Sequence, residues 1–206
     1  MSPAPYRVGM VTALRRRGIA LEWITLGWNV AGVLVLAVAA YLAASVALVG
    51  FGLDSLIEIG ASTVVLWELS DTGEARRRLA LRLIGIAFLA LAAYLVVQSG
   101  AALIFRHHAI ASPGGMLWTA ITAVAMFVLA AAKTNTGRAL GNPVLEAEGR
   151  VTFVDGLLAT AVLLGLLLNG LFGWWWADPV AGLVIVYYAV REARAIFAAP
   201  AAAPAA

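Results

Sequence analysis

The chain has 206 residues, 63% of them hydrophobic and only 12% charged, with a mean hydropathy of +0.95. That is too apolar for an ordinary soluble domain and predicts an all-α integral membrane protein, while the absence of Cys excludes a disulfide framework, a thiolate metal site and a redox pair. The net charge of +3 and pI near 9.7 invite a nucleic-acid reading, which the placement of the charges argues against.

Six apolar runs, about 19–41, 46–69, 79–105, 116–133, 151–172 and 174–196, each approach the roughly 20 residues with which a helix crosses the hydrocarbon core. Together they predict a six-helix transmembrane bundle occupying residues 1–206 as a single domain, with 198–206 a low-complexity tail. The basic cluster at Arg15–Arg17 precedes a hydrophobic run too long for a signal peptide, so the first helix is read as retained. Glu22 and Trp23 read as an interfacial anchor. A short link at 41–45 makes helices one and two a hairpin, and the polar SDTGEARRR follows helix two. Helix three ends at FRHHAIASPGG, where Pro113, Gly114 and Gly115 break helix and the adjacent His107 and His108 read as solvated loop residues. After helix four, AKTNTGRALGNPVLEAEGR reads as a turn-rich link. The Trp174–Trp176 run marks the opposite interface before helix six.

With the N-terminus inside, Lys133 and every Arg except Arg106 fall at cytoplasmic ends, which supports six spans with both termini cytoplasmic. The basic residues are then topology signals and partners of lipid headgroups. Nucleic acid is not a partner on this reading.

Asp54, Glu58 and Asp155 lie inside apolar runs. Each ionised carboxylate near mid-bilayer costs about 2.5–3.5 kcal/mol on insertion scales, and no Lys or Arg is expected at matching depth. A cation from solution, or bound protons, is the natural partner. Asp54 and Glu58 are four residues apart, stacked on one helical face with the small residues Gly50 and Ser62 beyond them. Glu148, Thr152 and Asp155 likewise share a face of helix five. Since helix two runs inward and helix five outward, Asp54, Glu58 and Asp155 can meet near mid-depth, with Glu148 nearer the cytoplasm. Asn29 and Gln98 are candidate neutral additions, each with an interhelical hydrogen bond as its structural alternative.

These residues resemble the cation diffusion facilitator family, six-helix exporters of divalent metals. VALVGFGLDSLIEIGAS is similar to the family's second helix, whose two ligands four apart correspond to Asp54 and Glu58. LEAEGRVTFVDGLLATAVLLGLLLNGLFGWWWADPVAGLVIV is similar to its fifth and sixth helices, with Asp155 at the ligand Asp and Val151 where the family commonly carries His. The resemblance implies a cation-diffusion-facilitator-like transmembrane domain of the short form, without a C-terminal cytoplasmic domain, so any homodimer forms through membrane helices. It also implies export of a divalent cation by proton antiport, bound by Asp54, Glu58 and Asp155 with Glu148 or Asn29 in support. Because Val151 cannot ligate, the set is all oxygen, which leaves Mn²⁺, Co²⁺, Fe²⁺ and Cd²⁺ open beside Zn²⁺. The ion is cargo, and no resident cofactor is expected.

Two other classes compete. Asp155-Gly156-Leu157-Leu158-Ala159-Thr160 is a fragmentary likeness to the opening of membrane CDP-alcohol phosphotransferases, but Thr stands for the Arg and the later Asp residues are missing, so an enzyme is not expected. A membrane scaffold, or a carrier of a non-metal cation, is the remaining alternative.

Overall fold

A computed structural model describes residues 5–43, 46–70, 73–106 and 113–198. Nearly all of them lie in six helices: α1 Pro5–Ala43, α2 Val46–Ser70, α3 Glu74–Phe105, α4 Pro113–Leu140, α5 Pro143–Phe172 and α6 Ala177–Ala198. Four stretches are long and apolar enough to cross a membrane, namely Gly9–Leu42, Ala75–Phe105, Pro113–Leu140 and Pro143–Phe172. The other two helices are α6 and α2, which carries Asp54, Glu58 and Glu68.

The periodicity of α1 shows how the bundle is organised. Its buried residues are Gly18, Glu22, Thr25, Asn29, Gly32, Leu36 and Ala40, one stripe at spacings of three and four. Its outward face carries Trp23, Ile24, Val30, Leu34 and Val38. The helix is therefore polar toward its neighbours over the stretch from Glu22 to Asn29 and apolar toward lipid. Helices α1, α2, α5 and α4 contact one another in that cyclic order and form a closed ring, while α3 and α6 pair with each other and pack against α5, with α3 also touching α2. Hydrophobicity gives little drive for association within lipid, so close approach through small residues matters more. A Cβ on Gly149 would lie 2.5 Å from Thr134 Oγ1 and 2.9 Å from Thr134 N, and one on Gly137 would lie 2.8 Å from Glu146 N. Glycine at these two positions lets α4 and α5 meet backbone to backbone.

Four helices begin before their apolar runs, α1 at Pro5, α3 at Glu74, α4 at Pro113 and α5 at Pro143, whereas α6 begins at Ala177, inside the expected run 174–196. The expected turn-rich link after helix four is instead helix on both sides of Gly141 and Asn142. Gly141 takes a positive φ of 61°, Asn142 Oδ1 accepts from Val144 N at 2.9 Å and Leu145 N at 3.1 Å, and Pro143 opens α5. A two-residue turn with a cap is sufficient to reverse the chain, and the polar residues around it belong to helix ends. The histidines His107 and His108, the link residues 44–45 and the tail from 199 onward lie outside the described residues. Ala198 itself still belongs to α6.

Candidate ion site: a buried charged column

The four-helix ring encloses a column of ionisable groups. Glu22, Lys133 and Glu148 are 0% exposed, and Asp54, Glu58 and Asp155 are each 2% exposed. The polar pairings of α2 and α5 run antiparallel: Ser62 Oγ donates to Glu148 Oε1 at 3.2 Å, and Thr152 Oγ1 donates to Glu58 Oε1 at 2.7 Å. One turn farther along, Asp54 and Asp155 approach each other. The structure thus brings Asp54, Glu58, Glu148 and Asp155 into one interior, strung along the axis. Among the described residues, no three His, Asp or Glu side chains gather closely enough to hold a metal ion in this arrangement.

Lys133 departs most from the sequence reading. Expected at a cytoplasmic helix end, it is fully buried on α4, and its three ammonium protons have three acceptors. Nζ lies 3.1 Å from Glu22 Oε2, 2.5 Å from Glu148 Oε1 and 3.1 Å from Thr152 Oγ1. The expectation that no basic residue reaches the interior is therefore overturned. Glu22 is likewise no interfacial anchor, since it turns inward onto Lys133, while Trp23 beside it is 60% exposed. Both inward positions continue a visible periodicity. Met126, Leu129, Lys133 and Thr136 prolong the buried stripe of α4, and Glu22 precedes Thr25 and Asn29 on that of α1.

Asn29 is buried, and its Nδ2 donates to Thr25 O at 3.1 Å within its own helix; no interhelical bond of its side chain is present among the described residues. Gln98 sits half-buried on α3, outside the ring. Val151 is buried among apolar neighbours, one residue before the hydroxyl of Thr152 that reaches Glu58.

Acidic groups outnumber basic ones in the column: among the described residues, five carboxyl groups, Glu22, Asp54, Glu58, Glu148 and Asp155, face one ammonium. Among the described residues, no hydroxyl, amide or basic group donates to either carboxyl oxygen of Asp155, to Oδ2 of Asp54, to Glu22 Oε1 or to Glu148 Oε2, all of them buried. Ionised carboxylates buried without partners cost several kcal/mol apiece, and an added cation or proton offsets that cost.

Polar contacts close the end of the ring that carries Arg15, Arg77 and Arg138. Glu68 Oε2 accepts from Asn142 Nδ2 at 2.9 Å, and Arg77 Nε lies 3.9 Å from Glu68 Oε1. Arg15 Nε donates to Leu69 O at 2.8 Å, and its Nη2 donates to Ser70 O at 2.9 Å. Toward the other end, Trp28 stacks on Trp118 with ring centroids 5.3 Å apart, and its Nε1 donates to Thr122 Oγ1 at 3.2 Å.

A lipid-facing helical bundle with buried, under-compensated carboxylates along its axis has the architecture of a multi-pass membrane carrier. The family model described as the cation efflux transmembrane domain matches residues 76–199, more than half of the chain. The chain belongs to the cation efflux family, a family of transporters, and the protein is a cation efflux transporter. The match covers α3 to α6, so Lys133, Glu148 and Asp155 lie within it, while Glu22, Asp54 and Glu58 lie before it. No curated protein matches the chain.

Proposed function

We propose that the protein exports a divalent metal cation in exchange for protons, with Asp54, Glu58 and Asp155 as the principal ligands and Glu148 on the access path. The observation that carries this reading is Asp155, whose two oxygens are buried against the carboxyl of Asp54 and, among the described residues, receive no hydrogen bond from a hydroxyl, amide or basic group. A carboxylate placed so has poor structural use and is suited to a charge that comes and goes. All the candidate donors are oxygens, which suits Mn²⁺, Co²⁺, Fe²⁺ or Cd²⁺ as well as Zn²⁺. Because the carboxylates are spaced along the axis, cation binding on this reading draws α2 and α5 together around the ion, and protons replace the ion as it leaves. The basic end is cytoplasmic by the positive-inside rule, which orients the carrier with both termini inside and Glu148 on the cytoplasmic side of Asp54 and Asp155.

Purified protein in liposomes tests this. Zn²⁺, Mn²⁺ or Co²⁺ added on one side should drive a proton flux in the wild type and none in Asp155→Asn. A wild-type flux indifferent to every divalent cation would overturn the proposal and leave a non-metal cation as the cargo.

A further inference from the structure

Lys133 is not explained by a cation site alone. It lies seven residues before the end of α4, about 10 Å along the axis, within reach of an outward-snorkelling ammonium. It turns inward instead and joins three helices, α1 through Glu22, α4 through its own backbone and α5 through Glu148 and Thr152. It is also linked to the ligand set on α2, because the Thr152 hydroxyl that accepts from Lys133 donates to Glu58. A purely structural ion pair would satisfy its carboxylates fully. Here Glu22 and Glu148 each give one oxygen to Lys133, and their other oxygens are buried with no hydroxyl, amide or basic donor among the described residues.

We propose that Lys133 is a tethered cation that holds the carboxylates in place of cargo and is driven off Glu148 and Thr152 when a divalent cation binds, so that it sets the affinity of the site. This rests on the divalent-cation reading above. The physical basis is like-charge repulsion across a low-dielectric interior. A dication among Asp54, Glu58 and Asp155 repels the ammonium along the column and attracts the oxygens the ammonium now holds. Without cargo, Lys133 relieves the mutual repulsion of the acids and ties α1, α4 and α5 together. The resulting site binds its cargo less tightly than the bare carboxylates would, which favours release.

The test is Zn²⁺ titration, by calorimetry, of the purified full chain in detergent. Lys133→Gln should bind Zn²⁺ at least about tenfold more tightly than wild type, because a fixed positive charge has left the column. Lys133→Arg, which keeps the charge, should stay closer to wild type than Lys133→Gln does. Glu22→Gln should bind more weakly, since it removes an acid and leaves Lys133 to compete harder for Glu148. A merely structural role for the ion pair predicts weakening in every variant, so tighter binding by Lys133→Gln is the distinguishing result. If Lys133→Gln does not fold, the double variant Glu22→Gln/Lys133→Gln, which removes one charge of each sign, takes its place and should bind more tightly than Glu22→Gln alone. Zn²⁺ binding by the wild type with no tightening in the folded variant overturns the competition and leaves the carrier reading intact. No saturable binding by the wild type or the variant sinks both.

Discussion

The two halves of the buried column use the same chemistry to different ends. In the half nearer the basic end, Glu22 and Glu148 share one ammonium, and Ser62 and Thr152 add hydroxyls. In the other half, Asp54 and Asp155 face each other, and among the described residues no basic side chain is bonded to either. The first half resembles a buried salt bridge, whose loss of one partner is expensive. The second is a pair of facing carboxyl groups, which repel when both are ionised and which a proton or a cation relieves. Side chains of the same type thus bridge helices in one place and, on the proposal above, receive a cation in another, and the difference lies in where the single lysine sits.

This contrast can be broken experimentally. The largest expected effect is on transport: Asp155→Asn should reduce cation-dependent flux roughly a hundredfold or more, at or beyond the loss usual for disturbing even the outer contacts of a metal site. The same variant should unfold no more readily than wild type in detergent, because it removes a buried acid that no basic side chain among the described residues compensates; clear destabilisation would show that the second half is structural. Lys133→Gln should do the opposite to stability, lowering it by about 3–5 kcal/mol because two carboxylates lose their counter-charge. Its double variant with Glu22→Gln should recover part of that loss, and denaturant unfolding of the set reads the coupling.

Gly149→Ala sharpens the contrast by disturbing one half alone. Its Cβ would press on Thr134 beside Lys133, and overpacking of this kind costs about 1–3 kcal/mol. The loss should appear in thermal unfolding, with Zn²⁺ affinity changed less than by Asp155→Asn. Asn142→Ala should cost about 1 kcal/mol through the lost cap of α5, with faster hydrogen exchange at Val144 and Leu145. The smallest effect should come from Glu146→Gln. Its carboxylate is 4.0 Å from an Arg138 side chain that is 69% exposed, and unfolding should shift by less than about 0.5 kcal/mol.

Much of this was legible in the residues themselves. Runs of about 20 apolar residues dictate membrane helices because lipid leaves the backbone no other way to satisfy its hydrogen bonds. Asp54 and Glu58 declare themselves through the cost of their burial and their shared helical face. Lys133 did not, because a lysine closing an apolar run looks like the end of a span. Glu22, next to Trp23, looked like an anchor for a similar reason. In both cases local polarity suggested an interface, while the three-and-four spacing of the buried stripe pointed inward.

Sequence alone therefore determined that this chain is a bundle of membrane helices with costly carboxylates on two of them, because composition and periodicity act through short-range physics. Only the tertiary structure decided that α1 and α4 complete the ring, that Glu22 and Lys133 turn into it, and that one ammonium serves one end of the column while Asp155 meets Asp54, a second acid, at the other. Those outcomes depend on the rotation of each helix against neighbours that are distant in the chain, and no stretch of sequence specifies that rotation by itself.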